Sequence, residues 1–86
     1  MSLIIESRTQ STPPTLRSPV RLKEAAPALW RVLDTSGRVI GHVQQVAEPG
    51  GIRFRARRYH PGSHAFRDLG DFWNADDAID CLRFTR

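Results

Sequence analysis

This chain contains a single cysteine, Cys81, and a single lysine, Lys23. One cysteine cannot form an internal disulfide framework, so no disulfide pattern indicates secretion. No charged-then-apolar leader opens the sequence, and no apolar run approaches the length of a membrane span. We therefore predict a soluble cytoplasmic protein that does not associate with membranes.

Patterns typical of catalytic and metal sites are also missing. No serine, cysteine or carboxylate pair has the spacing of a nucleophile and its base. His60 and His64 are four residues apart, but Pro61 and Gly62 prevent the helix that would bring two zinc ligands together. The one glycine pair is not followed by a predicted helix, which phosphate-binding glycine loops require. We expect no enzymatic activity, no metal and no cofactor.

Arginine supplies nearly all of the positive charge, in a chain with 13 Lys and Arg, 9 Asp and Glu and a net charge of +4. Arginine binds phosphate and carboxylate bidentately and stacks on flat rings, so this bias suits a binding surface. The codon usage of a GC-rich genome explains the same bias equally well. Residues 1–24 carry +2, residues 25–68 carry +4 and residues 69–86 carry −2.

Residues 1–27 are predicted to form a disordered basic tail rich in serine, threonine and proline. Few apolar residues in this segment could be buried, and its prolines lack amide donors. Order is expected to begin at residue 28, so that residues 28–86 form one small domain. A core of this size only just offsets the entropy of the chain, so a homodimer or another assembly would be unsurprising.

Short β-prone segments separated by turn residues predict an antiparallel meander. The predicted strands are residues 29–33, 38–46, 51–59 and, as a fourth that the pattern leaves open, 65–69. A helix follows, because Asn74 is a good N-cap and Asp77 can complete a capping box. Its apolar stripe is Ala75, Ala78, Ile79 and Leu82. The predicted fold class is α+β, with a three- or four-stranded antiparallel meander packed on one C-terminal helix.

Arginine alternates with apolar residues along the third predicted strand, at Arg53, Arg55 and Arg57. Successive strand side chains point to opposite faces, so the apolar residues face the core and the three arginines line the other side. A row of like charges is easier to keep against an anionic partner, and nucleic acid is the first partner to consider. The predicted nucleic-acid-binding residues are Arg53, Arg55, Arg57, Arg67, Arg31 and Tyr59.

Three pieces of residues 52–80 carry a family likeness. They are the basic strand 53–57, the step Leu69-Gly70-Asp71-Phe72 and the helix start Asn74-Ala75-Asp76-Asp77-Ala78. Together they resemble the AP2-like DNA-binding fold, which includes the arm-binding domains of phage-type tyrosine integrases. The resemblance implies that the sheet face away from the helix enters the major groove, with Arg53, Arg55 and Arg57 facing DNA and Arg67 as a further candidate. It favours DNA over RNA.

Two functions remain open. The first is a small non-enzymatic DNA-binding protein that uses the basic sheet face. The alternative is a protein-interaction module that dimerises or binds a partner through its sheet and N-terminal tail, because the leading hairpin 29–46 carries a surplus of apolar residues. The predicted helix carries most of the acidic residues and covers the other face. Only Glu48, Asp34 and Asp68 are therefore expected to compensate the arginines.

Overall fold

The computed structural model describes residues 13–14 and 16–85, which form one five-stranded antiparallel sheet and one C-terminal helix. The elements are β1 (Arg21–Ala26), β2 (Leu29–Leu33), β3 (Val39–Glu48), β4 (Gly51–His60), β5 (Ala65–Phe72) and α1 (Ala75–Phe84). The strands lie in the sheet in chain order. The predicted α+β meander is therefore confirmed, with five strands instead of three or four. No helix among the described residues is long and apolar enough to cross a membrane.

The additional strand, β1, lies within the segment predicted to be a disordered tail. A two-residue turn joins it to β2: Ala26 pairs with Leu29, and Ala28 has a φ of 60°. Proline is favoured at the first central position of such a turn, where Pro27 lies. The second central position is left-handed and is usually occupied by glycine. Because Ala28 occupies this position, the sequence does not indicate the turn. Residues 1–12 and 15 of the predicted tail lie outside the described residues.

The segment that leads into β1 is attached to the start of α1. The Asp76 carboxylate accepts hydrogen bonds from the backbone N–H of Arg17 at 3.0 Å and of Ser18 at 2.9 Å, and from the Ser18 hydroxyl at 2.5 Å. The Ser18 hydroxyl is the main cause that lowers the pKa of Asp76, and burial opposes it. Leu16 and Val20 pack against the core. Asp76 therefore anchors this segment to the start of α1.

The core lies between one face of the sheet and α1. The predicted apolar stripe of the helix is buried, and the side chain of Asn74 accepts a hydrogen bond from the backbone N–H of Asp77 at 2.9 Å. The buried residues that form one core cluster are Val32, Val43, Ala56, Ala78, Ile79 and Leu82, and Trp30 is also buried. The helix lies against β3, β4 and β5. Within residues 16–85 no helix or strand packs on the other side of the sheet, which we call the open face.

Candidate functional site

The antiparallel register aligns the side chains of the open face in rows that cross the strands. Directly opposite residues share a face, with their Cβ atoms about 4.5–5.5 Å apart. One row consists of Lys23, Arg31, His42, Arg57 and Asp68. A second contains Leu29, Gln44, Arg55 and Asp71, and a third contains Val46 and Arg53. The three predicted arginines of β4 therefore lie together, on the side away from α1.

Two of these arginines are paired with carboxylates of β5. The Nε and Nη2 groups of Arg55 donate to the Asp71 carboxylate at 2.8 and 3.0 Å. The Nε of Arg57 donates to Asp68 at 2.8 Å, and its Nη1 donates to the side-chain oxygen of Gln44 at 2.7 Å. The hydrogen bond from Arg55 lowers the pKa of Asp71, and Asp71 in turn raises the pKa of Arg55. Both guanidinium groups are thus fixed in orientation and largely neutralised.

Arg53, the first of the three arginines along β4, is held more loosely. Its Nε lies 3.7 Å from the Glu48 carboxylate, which is too long for a hydrogen bond. The same Nε is buried and has no hydrogen-bond partner within the described residues. The guanidinium carbon lies 3.8 Å from the centre of the Trp73 ring, a cation–π distance. Arg53 therefore covers the exposed tryptophan and is less available to an external anion.

A β-bulge at Leu69 explains how Asp68 and Asp71 reach the same face. Asp68 and Gly70 pair with consecutive residues of β4, so Leu69 is the extra residue. In an unbroken strand, residues three apart point to opposite faces. Sequence reasoning missed Asp71 because it ended the fourth strand at Leu69, whereas β5 runs to Phe72. The expected shortage of carboxylates near the arginines is therefore wrong.

Asp34, which was expected to compensate the arginines, is occupied elsewhere. Its carboxylate accepts hydrogen bonds from the backbone N–H of Ser36 and of Arg38, both at 2.9 Å, and from the Ser36 hydroxyl at 2.7 Å. The Ser36 hydroxyl is the main cause that lowers the pKa of Asp34. Asp34 therefore shapes the turn between β2 and β3 and does not act on the open face.

The unpaired positive charge lies at the β1 and β2 side of the open face. Strand register and alternation place six basic side chains and three carboxylates on this face, an excess of three positive charges. The basic residues are Arg21, Lys23, Arg31, Arg53, Arg55 and Arg57, and the acidic ones are Glu48, Asp68 and Asp71. Arg21, Lys23 and Arg31 form no ion pair with any carboxylate in the described part of the chain. Sequence reasoning centred the positive field on the third predicted strand. The register instead leaves β4 compensated and the first two strands free.

The remaining predicted site residues divide between the two faces. Arg31 and Tyr59 lie on the open face, where the rings of Tyr59 and Phe66 meet edge to face, 5.4 Å between centroids. Arg67 pairs with Arg58, whose Nη2 donates to two backbone carbonyl oxygens at the end of α1, at 2.9 and 3.1 Å. Arg67 is therefore on the helix side and is separated from the other predicted residues.

His42 is the one buried polar side chain found among the described residues, with 8% of its surface exposed. Its Nδ1 atom is inaccessible and has no hydrogen-bond partner within residues 16–85. The Phe66 ring meets the imidazole edge to face at 4.9 Å. Burial is the main cause that lowers the pKa of His42, and the charges of Arg31 and Arg57 lower it further. The imidazole is therefore neutral near physiological pH.

We expect this burial to make the stability of the protein sensitive to mild acid. The pKa of His42 in the folded protein lies below its ordinary value of 6.5, so the unfolded chain binds the proton more readily. The contribution of neutral His42 to stability is complete above the pKa of the unfolded chain. It is lost as the pH falls through the pKa of His42 in the folded protein. Urea unfolding followed by tryptophan fluorescence should show the free energy of unfolding falling between about pH 7 and pH 5.

His42→Leu is the matched variant for this measurement. It removes the titrating group and leaves His60 and His64 in place, so the difference between the two proteins isolates His42. The fall in stability between the two pH values should be smaller in the variant. The same fall in both proteins would show that other groups cause it.

Metal binding has no obvious ligand set in this structure. Among the described residues, no group of three or more His, Cys, Asp or Glu side chains is placed to hold one metal ion. The open face offers guanidinium groups, the Lys23 ammonium group, carboxylates that hold some of the arginines, one neutral imidazole and the rings of Tyr59 and Phe66. No family model, curated protein or solved structure matches this chain.

Proposed function

We propose that this chain is a non-enzymatic nucleic-acid-binding protein that contacts DNA through the open face. The observation that carries the proposal is an uncovered sheet face with three more basic than acidic side chains, supported from behind by α1. A surface of one dominant sign attracts a polyanion, and a packed sheet fixes the positions of its charges. The face away from the helix is also the one by which the AP2-like fold enters the major groove, which favours DNA over RNA.

In this proposal the unpaired cations bind the phosphate backbone. Arg21, Lys23 and Arg31 lie on neighbouring strands, and none of them forms an ion pair with a carboxylate of the described residues. Each phosphate that such a group neutralises releases counterions from DNA, and adds about 0.9 to the slope of log affinity against log salt. Three contacts therefore give a slope of about −2.7.

The carboxylate-held arginines have a different role in the proposal. A guanidinium has five N–H donors, and Arg55 uses only two of them on Asp71. The others remain available, and the paired carboxylate fixes the plane in which they lie. An oriented arginine can donate bidentately to the O6 and N7 atoms of guanine in the major groove. Arg55 and Arg57 are thus suited to reading bases, and contribute little to attraction.

The test is a titration of a fluorescent DNA duplex with the full chain at several salt concentrations between about 50 and 200 mM. Lys23→Gln combined with Arg31→Gln should weaken binding and reduce the steepness of the salt dependence by about 1.8. The control, Arg67→Gln combined with Arg83→Gln, lowers the net charge equally on the helix side and should leave the slope unchanged. Equal losses in the two double variants would show that overall charge, and not the open face, drives binding.

The exposed position of β1 favours a protein partner as the second candidate. This strand is at the edge of the sheet, and nearly all of its side chains are exposed. An edge strand can accept a strand from another chain or from a second copy of the same chain. Size-exclusion chromatography with light scattering after nuclease treatment separates the two candidates. A dimer that persists without nucleic acid favours this role, and a monomer that binds the duplex favours the first.

A further inference from the structure

The sheet divides at one end between β3 and β4. Pairing between the two strands stops at His42 and Arg57. Residues 39–41 of β3 follow β2, while residues 58–60 of β4 pair with β5. A cleft of about 610 Å³ lies between the diverging ends. Clefts that bind small molecules have volumes of about 300–1,000 Å³, so this one has a suitable size.

Side chains of distinct chemistry line this cleft. Arg31 contributes a guanidinium that has no ion-pair partner among the described residues. His42 contributes the buried imidazole whose Nδ1 has no partner there either. Tyr59 and Phe66 add two rings, and 41% of Tyr59 is exposed. The cleft thus combines two guanidinium groups, one imidazole and two aromatic rings; the second guanidinium, that of Arg58, donates to carbonyl oxygens at the end of α1.

We infer that this cleft binds a single nucleotide, with the base against Tyr59 and His42 and the phosphate on Arg31. The inference rests on the proposed function for its class of ligand, but it concerns a pocket at the end of the open face that shares only Arg31 with the proposed phosphate contacts. The nucleotide is either free or an unstacked unit of a single strand, since both present the same base and phosphate.

The ligand class follows from what each group can bind. Because Nδ1 is inaccessible, His42 meets the ligand through Nε2, which donates or accepts according to the tautomer and so matches the edge of a heterocyclic base, whereas phosphate offers chiefly acceptors. The exposed Tyr59 ring provides a stacking surface, which is how proteins hold unstacked bases. A guanidinium binds phosphate bidentately. A carboxylate ligand without a ring would leave the aromatic side chains and the imidazole unused.

The experiment titrates the full-length protein with adenosine 5′-monophosphate and follows binding by NMR and calorimetry. We expect the ring signals of His42, Tyr59 and Phe66 to shift. Tyr59→Leu should weaken binding about tenfold, while Tyr59→Phe, which keeps the ring, should bind as the unchanged protein does. Adenosine and ribose 5-phosphate should each bind about tenfold more weakly than the nucleotide. Unshifted cleft signals, equal binding by Tyr59→Leu, or ribose 5-phosphate matching the nucleotide would each overturn the inference.

A single-stranded oligonucleotide and a duplex of the same length separate the two sources of ligand. A single strand that loses affinity in Tyr59→Leu supports an unstacked unit, and one that does not, while the nucleotide still binds, supports a free nucleotide. If the duplex binds with the expected salt slope but the nucleotide does not bind, the cleft inference fails alone. If the nucleotide binds but the duplex does not, the proposed DNA-binding function fails and the cleft stands.

Discussion

Replacing Gly41 with alanine is expected to lower the free energy of unfolding by about 1–3 kcal/mol. A Cβ atom at this position would overlap the side chain of Leu82 and lie 3.1 Å from the backbone oxygen of Arg57. Leu82 is 3% exposed and belongs to the core, so it has little room to move. The helix therefore packs so closely on β3 here that only glycine fits without a shift of Leu82. Urea unfolding measures the effect.

Gly50→Ala is the matched control for this prediction. The nearest atom to an added Cβ at that position lies 3.8 Å away, on the Trp73 ring, which is an ordinary contact. The control should change stability by less than about 0.5 kcal/mol. Adding Leu82→Val to Gly41→Ala removes the overlapping methyl groups, so the double variant should lose less than the sum of the single losses. Similar losses at both glycines would rule out the steric explanation.

Replacing Asp68 and Asp71 together with asparagine is expected to raise the affinity for duplex DNA about ten- to a hundredfold at low salt. These carboxylates neutralise Arg57 and Arg55, so the substitutions raise the positive excess of the open face from three to five. Both ion pairs are partly exposed to solvent, and the loss of stability should stay near 1 kcal/mol or less. Fluorescence anisotropy of a labelled duplex at about 50 mM salt measures the gain.

The same variant should also discriminate less between DNA sequences. An asparagine cannot hold a guanidinium with two charge-assisted hydrogen bonds, so the fixed orientation of Arg55 is lost. Competition between duplexes that differ in guanine content measures this second effect. Glu24→Gln combined with Asp80→Asn removes the same charge away from the open face and should leave affinity within about threefold. If both double variants gain affinity equally, Asp68 and Asp71 have no special role.

The elements that rest on local signals follow well from the sequence. The cap at Asn74 and the buried stripe of α1 depend on residues within a few positions of one another, and the structure confirms them. The alternation along residues 51–59 also sets which side of the sheet the arginines take, because each strand residue points opposite to the last. Local chemistry is sufficient in both cases.

The partners of the arginines do not follow from local signals, because they are set by register between strands. The bulge at Leu69 moves Asp71 beside Arg55, and nothing in the neighbouring residues specifies a bulge there. Similarly, β1 depends on a tight turn with alanine in a position that usually takes glycine. The compensated charge of β4 and the free charge of β1 and β2 are therefore visible only in the assembled sheet.

Each of the five described strands pairs only with the strand that precedes or follows it in the chain. Folding can therefore advance by successive short-range closures, each costing little loop entropy, and topologies of this kind reach the native state quickly. The packing of α1 on β3 instead joins two elements that are far apart in the sequence. Helix docking is thus the step expected to come late and to limit the overall rate.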